Sequence, residues 1–464
     1  MQVERGLAEV DEDLGAVFAF DTDEVFDAAG GCAEAGGVGD GTDAVDDGVD
    51  EPSTADLDGV GGPRVSFAEP ADVSQVVDIH NFDAQKAASI TTVGDGPLPA
   101  SVSAPVKKVG LDDFQLVSVV GKGAYGKVFL VRKKPNPTPA TSTAGANAKT
   151  ELYAMKVLKK ASIVLHASGK EAEHTRNERC ILEEVQHPFI VTLHYAFQTP
   201  SKLYLILSYA SGGELFTYLT KEKMFAEDVA CFYISELLLA LEHLHSLGII
   251  YRDLKPENVL LSAQGHILLT DFGLSKVALD AQTVCGTIEF MAPEVLDEHR
   301  TQGYEKGVDY WSLGVMLFDM LTGAPPFTGA NRKKIMDGIL HRKVVWPRYM
   351  TAHARDLCHR LLQKNPAKRL GCDALGGVAG VKRHAFFRGI DWERLARLEV
   401  EPPIVPRLEG EEDTRCFDRV FTAMPVESPP PRGERERGEG GLELGLEVVD
   451  HFVGFSYVAG TKYL

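Results

Sequence analysis

The 464-residue chain is short of several things, and each shortage removes a class of protein. Its seven cysteines, Cys32, Cys180, Cys231, Cys285, Cys358, Cys372 and Cys416, stand far apart. There is no C-x-x-C pair and no His cluster at zinc spacing, so we expect reduced thiols rather than a disulfide framework or a zinc module. No uncharged apolar run approaches the ~18 residues of a membrane-spanning helix. The acidic start MQVERGLAEVDED lacks the basic, then apolar, order of a signal peptide. These absences lead us to expect a cytoplasmic protein, with access to the nucleus, and no membrane partner. Positive charge is also scarce, with 48 basic residues against 67 acidic ones and a formal net charge of −19. That balance argues against a nucleic-acid or anionic-membrane surface as the main business of the molecule.

The charge is unevenly spread. The first sixty residues hold eighteen acids and one base, Arg5, so that arm carries −17 and the remaining 404 residues only −2. Residues 1–110 are rich in Asp, Gly, Ala and Ser and show no sustained period; burial there does not repay chain entropy, and a disordered arm is expected. From Phe114 onward FQLVSVV, KVFLVR and ELYAMKVL read as short strands, the last two joined by the low-complexity loop Pro135–Thr150. A helical stretch follows over 172–185, with Ile181, Leu182 and Val185 on its apolar face, and then the strand-like LYLILSYA. After SGGE the pattern turns mainly helical, in ACFYISELLLALEHLHSLG and VDYWSLGVMLFDMLTG. Strands first and helices afterwards predict an α+β protein of two unequal lobes.

Chemistry is written in three places. GKGAYGKV (Gly121, Gly123, Ala124, Tyr125, Gly126 and Val128 among its residues) lies between strands, which suits a glycine-rich hairpin over a triphosphate better than a dinucleotide turn. In YAMKV the two-residue period puts Tyr153, Met155 and Val157 on one face and Ala154 with Lys156 on the other, and Glu178 is a partner for that lysine. YRDLKPEN offers a carboxylate for an incoming hydroxyl (Asp253), a cation for a transferring phosphate (Lys255) and an amide for Mg2+ (Asn258). Thirteen residues later comes DFG, whose Asp271 suits a second Mg2+ ligand, and then MAPE.

The ordered set GKGAYGKV, YAMK, Glu178, YRDLKPEN, DFG, APE and DYWSLG resembles a eukaryotic protein kinase over residues 114–387. The resemblance implies a bilobal kinase fold, with a mainly β small lobe (114–207), a hinge (208–212) and a mainly helical large lobe (213–387). It implies ATP and Mg2+ as cofactors, with Leu207, Ser208, Tyr209 and Ala210 at the adenine and Thr287 contacting Asp253 and Lys255. It also pairs Glu294 with Arg369 and lets Asp309 brace the catalytic loop.

Tyrosine at the head of YRDLKPEN, with CGTIEFMAPE, is similar to the AGC branch of serine/threonine kinases. So is the regulatory tail, residues 388–464. CFDRVF resembles the element that folds over adenine through Phe421, Ser428-Pro429 a turn motif, and FVGFSY (Phe452, Phe455, Ser456, Tyr457) a hydrophobic motif. Within the branch, KLYLILSYASGGELF, LTGAPPFTGANRKK and VEPPIVP are most similar to the p70-type ribosomal protein S6 kinase family.

That resemblance implies Arg-x-Arg-x-x-Ser/Thr substrates such as ribosomal protein S6, read by Glu214, Glu257 and Asp319. It implies activating phosphates on Thr283, Ser428 and Ser456, with Arg252 as a partner for the first. The upstream enzymes would be a PDK-type kinase and a TOR complex, acting on a monomer. Lys160, Ile163, Val164, Thr175, Gln198 and Leu203 would line a pocket for the two tail phenylalanines. Phe20–Glu24, FDTDE, is similar to a TOR-recruiting signal, although Thr22 and Glu24 replace apolar residues. The sequence ends seven residues after Tyr457, so the basic autoinhibitory extension of animal S6 kinases is not expected. Another AGC kinase and a pseudokinase scaffold are the alternative readings.

Overall fold

The computed structural model describes residues 109–123, 126–135, 151–165, 170–272, 276–277, 287–296, 305–426, 452 and 454–459. The acidic arm with Phe20–Glu24, most of the Pro135–Thr150 loop, Ala124, Tyr125, Thr283 and Ser428 lie outside the described residues.

The small lobe is an antiparallel sheet of β1 (Phe114–Gly123), β2 (Gly126–Lys133), β3 (Leu152–Lys159), β4 (Leu193–Gln198) and β5 (Lys202–Ser208), in the order β1-β2-β3-β5-β4. Side-chain alternation along β3 sends Tyr153, Met155 and Val157 into an outer cluster with Phe114, Phe129, Phe197 and Tyr204. Ala154 faces the other way, onto the large core. In β4 Leu193, Tyr195 and Phe197 alternate in sequence, but a bulge between Leu193 and Tyr195 puts Leu193 with Ala196 on the large core and Tyr195 with Phe197 on the outer cluster. Two helices cover the inner side, α1 (Lys160–Leu165) and α2 (Lys170–Glu184). Ile181, Leu182 and Val185 at the end of α2 are buried as their spacing predicts.

The large lobe opens with β6 (Gly213–Glu214), α3 (Leu215–Glu222) and α4 (Glu227–Ser246). The short strands β7 (Ile249–Ile250), β8 (Val259–Leu261), β9 (Ile267–Leu269) and β10 (Lys276–Val277) form two ribbons, β10-β7 and β6-β8-β9. Between β7 and β8 runs the loop carrying YRDLKPEN. After α5 (Pro293–Leu296), α6 (Gly307–Thr322) is buried over nearly its whole length, because its sequence is apolar all round. It packs closely on α8 (Ala352–Leu361) at Gly314, where a Cβ would stand 2.8 Å from that of Leu361. α7 (Arg332–His341) lies between them in sequence, and α9 (Gly377–Lys382) and α10 (Trp392–Ala396) complete the lobe. Arg369 is fully buried, its guanidinium bidentate on Glu294 (2.5 and 2.8 Å) and donating to the Gly307 carbonyl at 2.8 Å. Removing either partner would strand a buried charge, so the pair locks the end of the lobe.

The tail returns to the small lobe. α11 (Arg419–Thr422) lies against β1, and β11 (Tyr457–Val458) pairs antiparallel with Ala196 and Tyr195 of β4. This covers an otherwise open sheet edge. Among the described residues no helix is long and apolar enough to cross a membrane.

Candidate active site

The loop after β7 is held from behind. Asp309, at the start of α6 and without solvent exposure, accepts hydrogen bonds from the backbone N–H groups of Tyr251 (2.9 Å) and Arg252 (2.7 Å). A third contact joins its carboxylate to His245 Nε2 at 2.7 Å. Arg252 adopts a left-handed conformation, φ 64°, a strain that this anchoring sustains. The Tyr251 ring is buried edge-on against Phe272, centroids 5.3 Å apart, and its hydroxyl donates to the Thr270 carbonyl. Tyr251 thus ties the loop to the residue just ahead of DFG.

So fixed, the loop presents Asp253 with Lys255 Nζ 2.9 Å and Asn258 Nδ2 2.7 Å from its carboxylate. The Asn258 amide also donates to the Asp253 carbonyl at 2.8 Å. Burial pushes the Asp253 carboxyl up from its ordinary value, opposed by Lys255 and Asn258. The result is a carboxylate aimed at the cleft with more proton affinity than a surface aspartate. Thr287 lines the same small cleft with Arg252, Asp253, Lys255, Phe290 and Met291, but hydrogen-bonds neither Asp253 nor Lys255.

Across the cleft, the Lys156 ammonium lies 2.7 Å from Glu178 of α2 and 3.3 Å from Asp271. Burial opposes the charge, yet Asp271 and Glu178 together hold Lys156 protonated well above the ordinary lysine range. Asp271 takes a left-handed backbone, φ 59°, which turns its half-exposed carboxylate toward this pair. Lys156 thereby joins the sheet, α2 and the DFG segment at one point.

The nucleotide side is built from strand register. Val128 on β2 sits beside Lys156 on β3, and Ala154 sits beside Leu207 on β5, just ahead of Ser208, Tyr209 and Ala210. The tail crosses this hinge, with Phe417 stacking on Tyr209 (5.8 Å, 17°) and the Tyr209 hydroxyl donating to the Asp413 carbonyl at 3.0 Å. Phe421 is half-buried against the outer cluster of the small lobe. The glycines of the hairpin differ in purpose. A Cβ on Gly126 would lie 1.7 Å from the Val157 carbonyl oxygen, whereas one on Gly123 meets nothing within 4 Å. Strand packing demands the first, and only the space above the hairpin bears on the second.

Glu214, Glu257 and Asp319 are electrostatic neighbours and none forms an ion pair among the described residues. Asp319 is buried, and that burial together with Glu257 raises its carboxyl to about 6. Burial, Glu257 and Asp418 raise Glu214. Asp418, the N-cap of α11, is an addition the sequence reading did not single out; its signal is the CFDRVF motif itself. Uncompensated carboxylates sharing one partly buried place make a receptor for cations.

At the far side of α2 the tail phenylalanines are docked. Phe452 and Phe455 are buried edge-to-face, 6.3 Å apart, in the core cluster that includes Ile163 and Leu203. Lys160 lies 5.5 Å from the Phe452 ring centre, and Arg179 donates to the Gly454 carbonyl at 3.3 Å. Thr175 is also buried, while the side chain of Val164 lies outside the described residues. Ser456 is exposed between the buried Phe455 and the paired Tyr457.

Comparison with known proteins agrees with this geometry. The protein kinase domain family matches residues 114–387 and the protein kinase C-terminal domain family residues 408–457. Ribosomal protein S6 kinase beta of Caenorhabditis elegans is 49% identical over 365 residues, covering 78% of this chain and 62% of that protein. Ribosomal protein S6 kinase alpha-6 of Homo sapiens is 44% identical over 416 residues, 88% of this chain and 52% of that protein. Ribosomal protein S6 kinase alpha-3 of Mus musculus is 48% identical over 361 residues, 77% and 45% respectively. The chain spans about half the length of the curated relatives it matches. It belongs to the protein kinase family, and its catalytic region and tail are similar to those of the ribosomal S6 kinases.

Proposed function

We propose that this protein kinase transfers the γ-phosphoryl group of ATP, as its Mg2+ complex, to serine or threonine hydroxyls lying downstream of arginines. The observation that carries the reading is the Lys156–Glu178–Asp271 cluster facing Asp253, Lys255 and Asn258 across one cleft. Oxygen donors suit Mg2+: the Asp271 carboxylate is half-exposed, and the Asn258 amide nitrogen is turned to Asp253, so its carbonyl oxygen is the ligating atom. Bound there, Mg2+ would neutralise phosphate charge. Asp253 accepts the proton of the substrate hydroxyl as its oxygen attacks the γ-phosphorus and the bond to ADP breaks. Lys255 offsets charge on the transferring group, and Lys156 holds the α and β phosphates.

In this proposal Glu214, Glu257 and Asp319 receive the substrate arginines, in an Arg-x-Arg-x-x-Ser/Thr pattern. Ribosomal protein S6 is a candidate substrate because relatives carry it in their names. Phosphates on Thr283, paired with Arg252, and on Ser428 and Ser456 would raise activity, placed by a PDK-type kinase and a TOR complex. Residues 20–24 would recruit the latter, in the cytoplasm and nucleus. The docked tail supports the Ser456 part, since it leaves that hydroxyl exposed.

The test is phosphate transfer from radiolabelled ATP to an Arg-x-Arg-x-x-Ser peptide by the full chain, beside Lys156→Ala and Asp253→Asn. Transfer lost in both variants is expected. Nucleotide binding with no transfer by the phosphorylated native protein would point to a pseudokinase scaffold instead.

A further inference from the structure

Helix α7 and the loop after it break the near-neutrality of the folded region. Residues 331–348 hold six cations, Arg332, Lys333, Lys334, Arg342, Lys343 and Arg348, against one acid, Asp337. All six are exposed, and none pairs with a carboxylate among the described residues. Three of them fill the first turn of α7, where no acid is present. Cations there oppose the positive end of the helix dipole, so the helix carries them at a cost to its own stability. The start is nonetheless well formed, because Asn331 caps it by accepting from the Lys334 N–H at 2.9 Å. The following loop folds back on the same turn, with the Arg342 guanidinium donating to the Lys334 carbonyl at 2.7 Å. Arg342 is thereby brought onto the basic first turn of α7.

The helix that carries these cations adjoins the catalytic cleft. α7 packs on Ile288–Phe290, and Phe290 lines the cleft with Asp253 and Lys255. The cleft is thus bordered by unpaired carboxylates at Glu214, Glu257 and Asp319 and by unpaired cations on α7. Opposite charges at two places orient a ligand of the opposite pattern. We propose that the α7 face docks an acidic segment of protein substrates, distal to the arginines that occupy the carboxylate site. The inference rests on the arginine-directed reading above. A lipid surface and a nucleic acid are the alternative occupants that the experiment separates.

The experiment uses the full chain and Arg-x-Arg-x-x-Ser peptides extended, through spacers of increasing length, by a run of glutamates or a matched run of glutamines. At low salt the glutamate extension should lower KM by about tenfold relative to glutamine, and high salt should erase the gain. In the triple variant K333E/K343E/R348E the gain should vanish while the unextended peptide keeps its KM. Acidic residues suit the first turn, so loss of folding is not expected there. Anisotropy of a fluorescent glutamate peptide, free of the arginine core, reads the face without turnover and should weaken in the same variant. Equal KM for the two extensions, or a gain that survives the triple variant, overturns the proposal. So does capture of phosphatidylserine vesicles or a single-stranded oligonucleotide in preference to the acidic peptide. An unextended peptide that is not phosphorylated counts against the arginine-directed reading, and the anisotropy arm still decides the acidic face.

Discussion

The side-chain amide of Gln198, on β4, donates to the backbone carbonyl of Phe452 at 2.8 Å. Its carbonyl oxygen accepts from Lys160 Nζ at 2.7 Å, so one residue of the small lobe grips the tail and the ammonium that lies over the Phe452 ring. Burial lowers the Lys160 ammonium from its ordinary value, and the Gln198 oxygen is the acceptor that solvates the charge there. Because α2 lies between this pocket and Lys156, tail docking bears on the position of Glu178.

Replacing Phe452 and Phe455 by alanine should release the tail. Each buried phenylalanine contributes up to ~3–5 kcal/mol in a fixed core, and less where the segment can detach. We expect activity of protein phosphorylated at Thr283 to fall by about tenfold, with greater amide exchange along β4 and β11. Gln198→Ala should reproduce a weaker form of the same change. Unaltered exchange at β4 in the double alanine variant would remove the docking account.

Lys156→Met should lower transfer by at least about a hundredfold, the scale of removing one charge-stabilising donor. Glu178→Gln keeps a hydrogen-bond acceptor and should cost less. Its effect should appear chiefly in kcat and not in ATP affinity, because it loosens a positioning contact. A thermal-shift measurement checks that neither substitution unfolds the lobe.

The Asp319 carboxyl, raised to about 6 by burial and Glu257, predicts a pH-dependent substrate affinity. If Asp319 receives a substrate arginine as proposed, the arginine binds the ionised form, so affinity is full above this value and is lost as pH falls through it. At one unit below, about a tenth of the sites are ionised, and KM for an arginine-bearing peptide should rise by about tenfold. Asp319→Asn should flatten that rise, as should a peptide with glutamine in place of the arginine read by Asp319. A KM profile that is equally steep in the variant would assign the effect to Glu214, whose carboxyl is also raised by burial, Glu257 and Asp418.

The lobes, the cleft and its charged groups were legible because each is carried by local residue pattern: two-residue alternation on β3, a fixed loop from Tyr251 to Asn258, apolar stripes on α4 and α6. What escaped was carried by contacts distant in sequence. A bulge in β4 puts Leu193 and Tyr195 on different faces, and β11 exists only because β4 offers an open edge. His245 behind Asp309, and Asp418 beside Glu214, have ordinary local surroundings and gain meaning only when the chain closes.

The three glycines of GKGAYGKV look equivalent in sequence, and the structure separates them by substitution. Alanine at Gly126 would force its Cβ to 1.7 Å from the Val157 carbonyl, a backbone atom that cannot step aside without parting β2 from β3. We expect a destabilisation of roughly 1–3 kcal/mol or more, a lower melting temperature, and poorer ATP binding as a consequence. Gly121→Ala meets only Val128, at an ordinary 3.6 Å, and Gly123→Ala meets nothing, so both should melt as the native protein does. If the hairpin covers a triphosphate, those two still weaken ATP binding, because a methyl group occupies the approach to the phosphates. Calorimetry and nucleotide titration on the three variants therefore separate a glycine kept for strand packing from glycines kept for the ligand. Equal melting temperatures for all three would refute the packing role of Gly126.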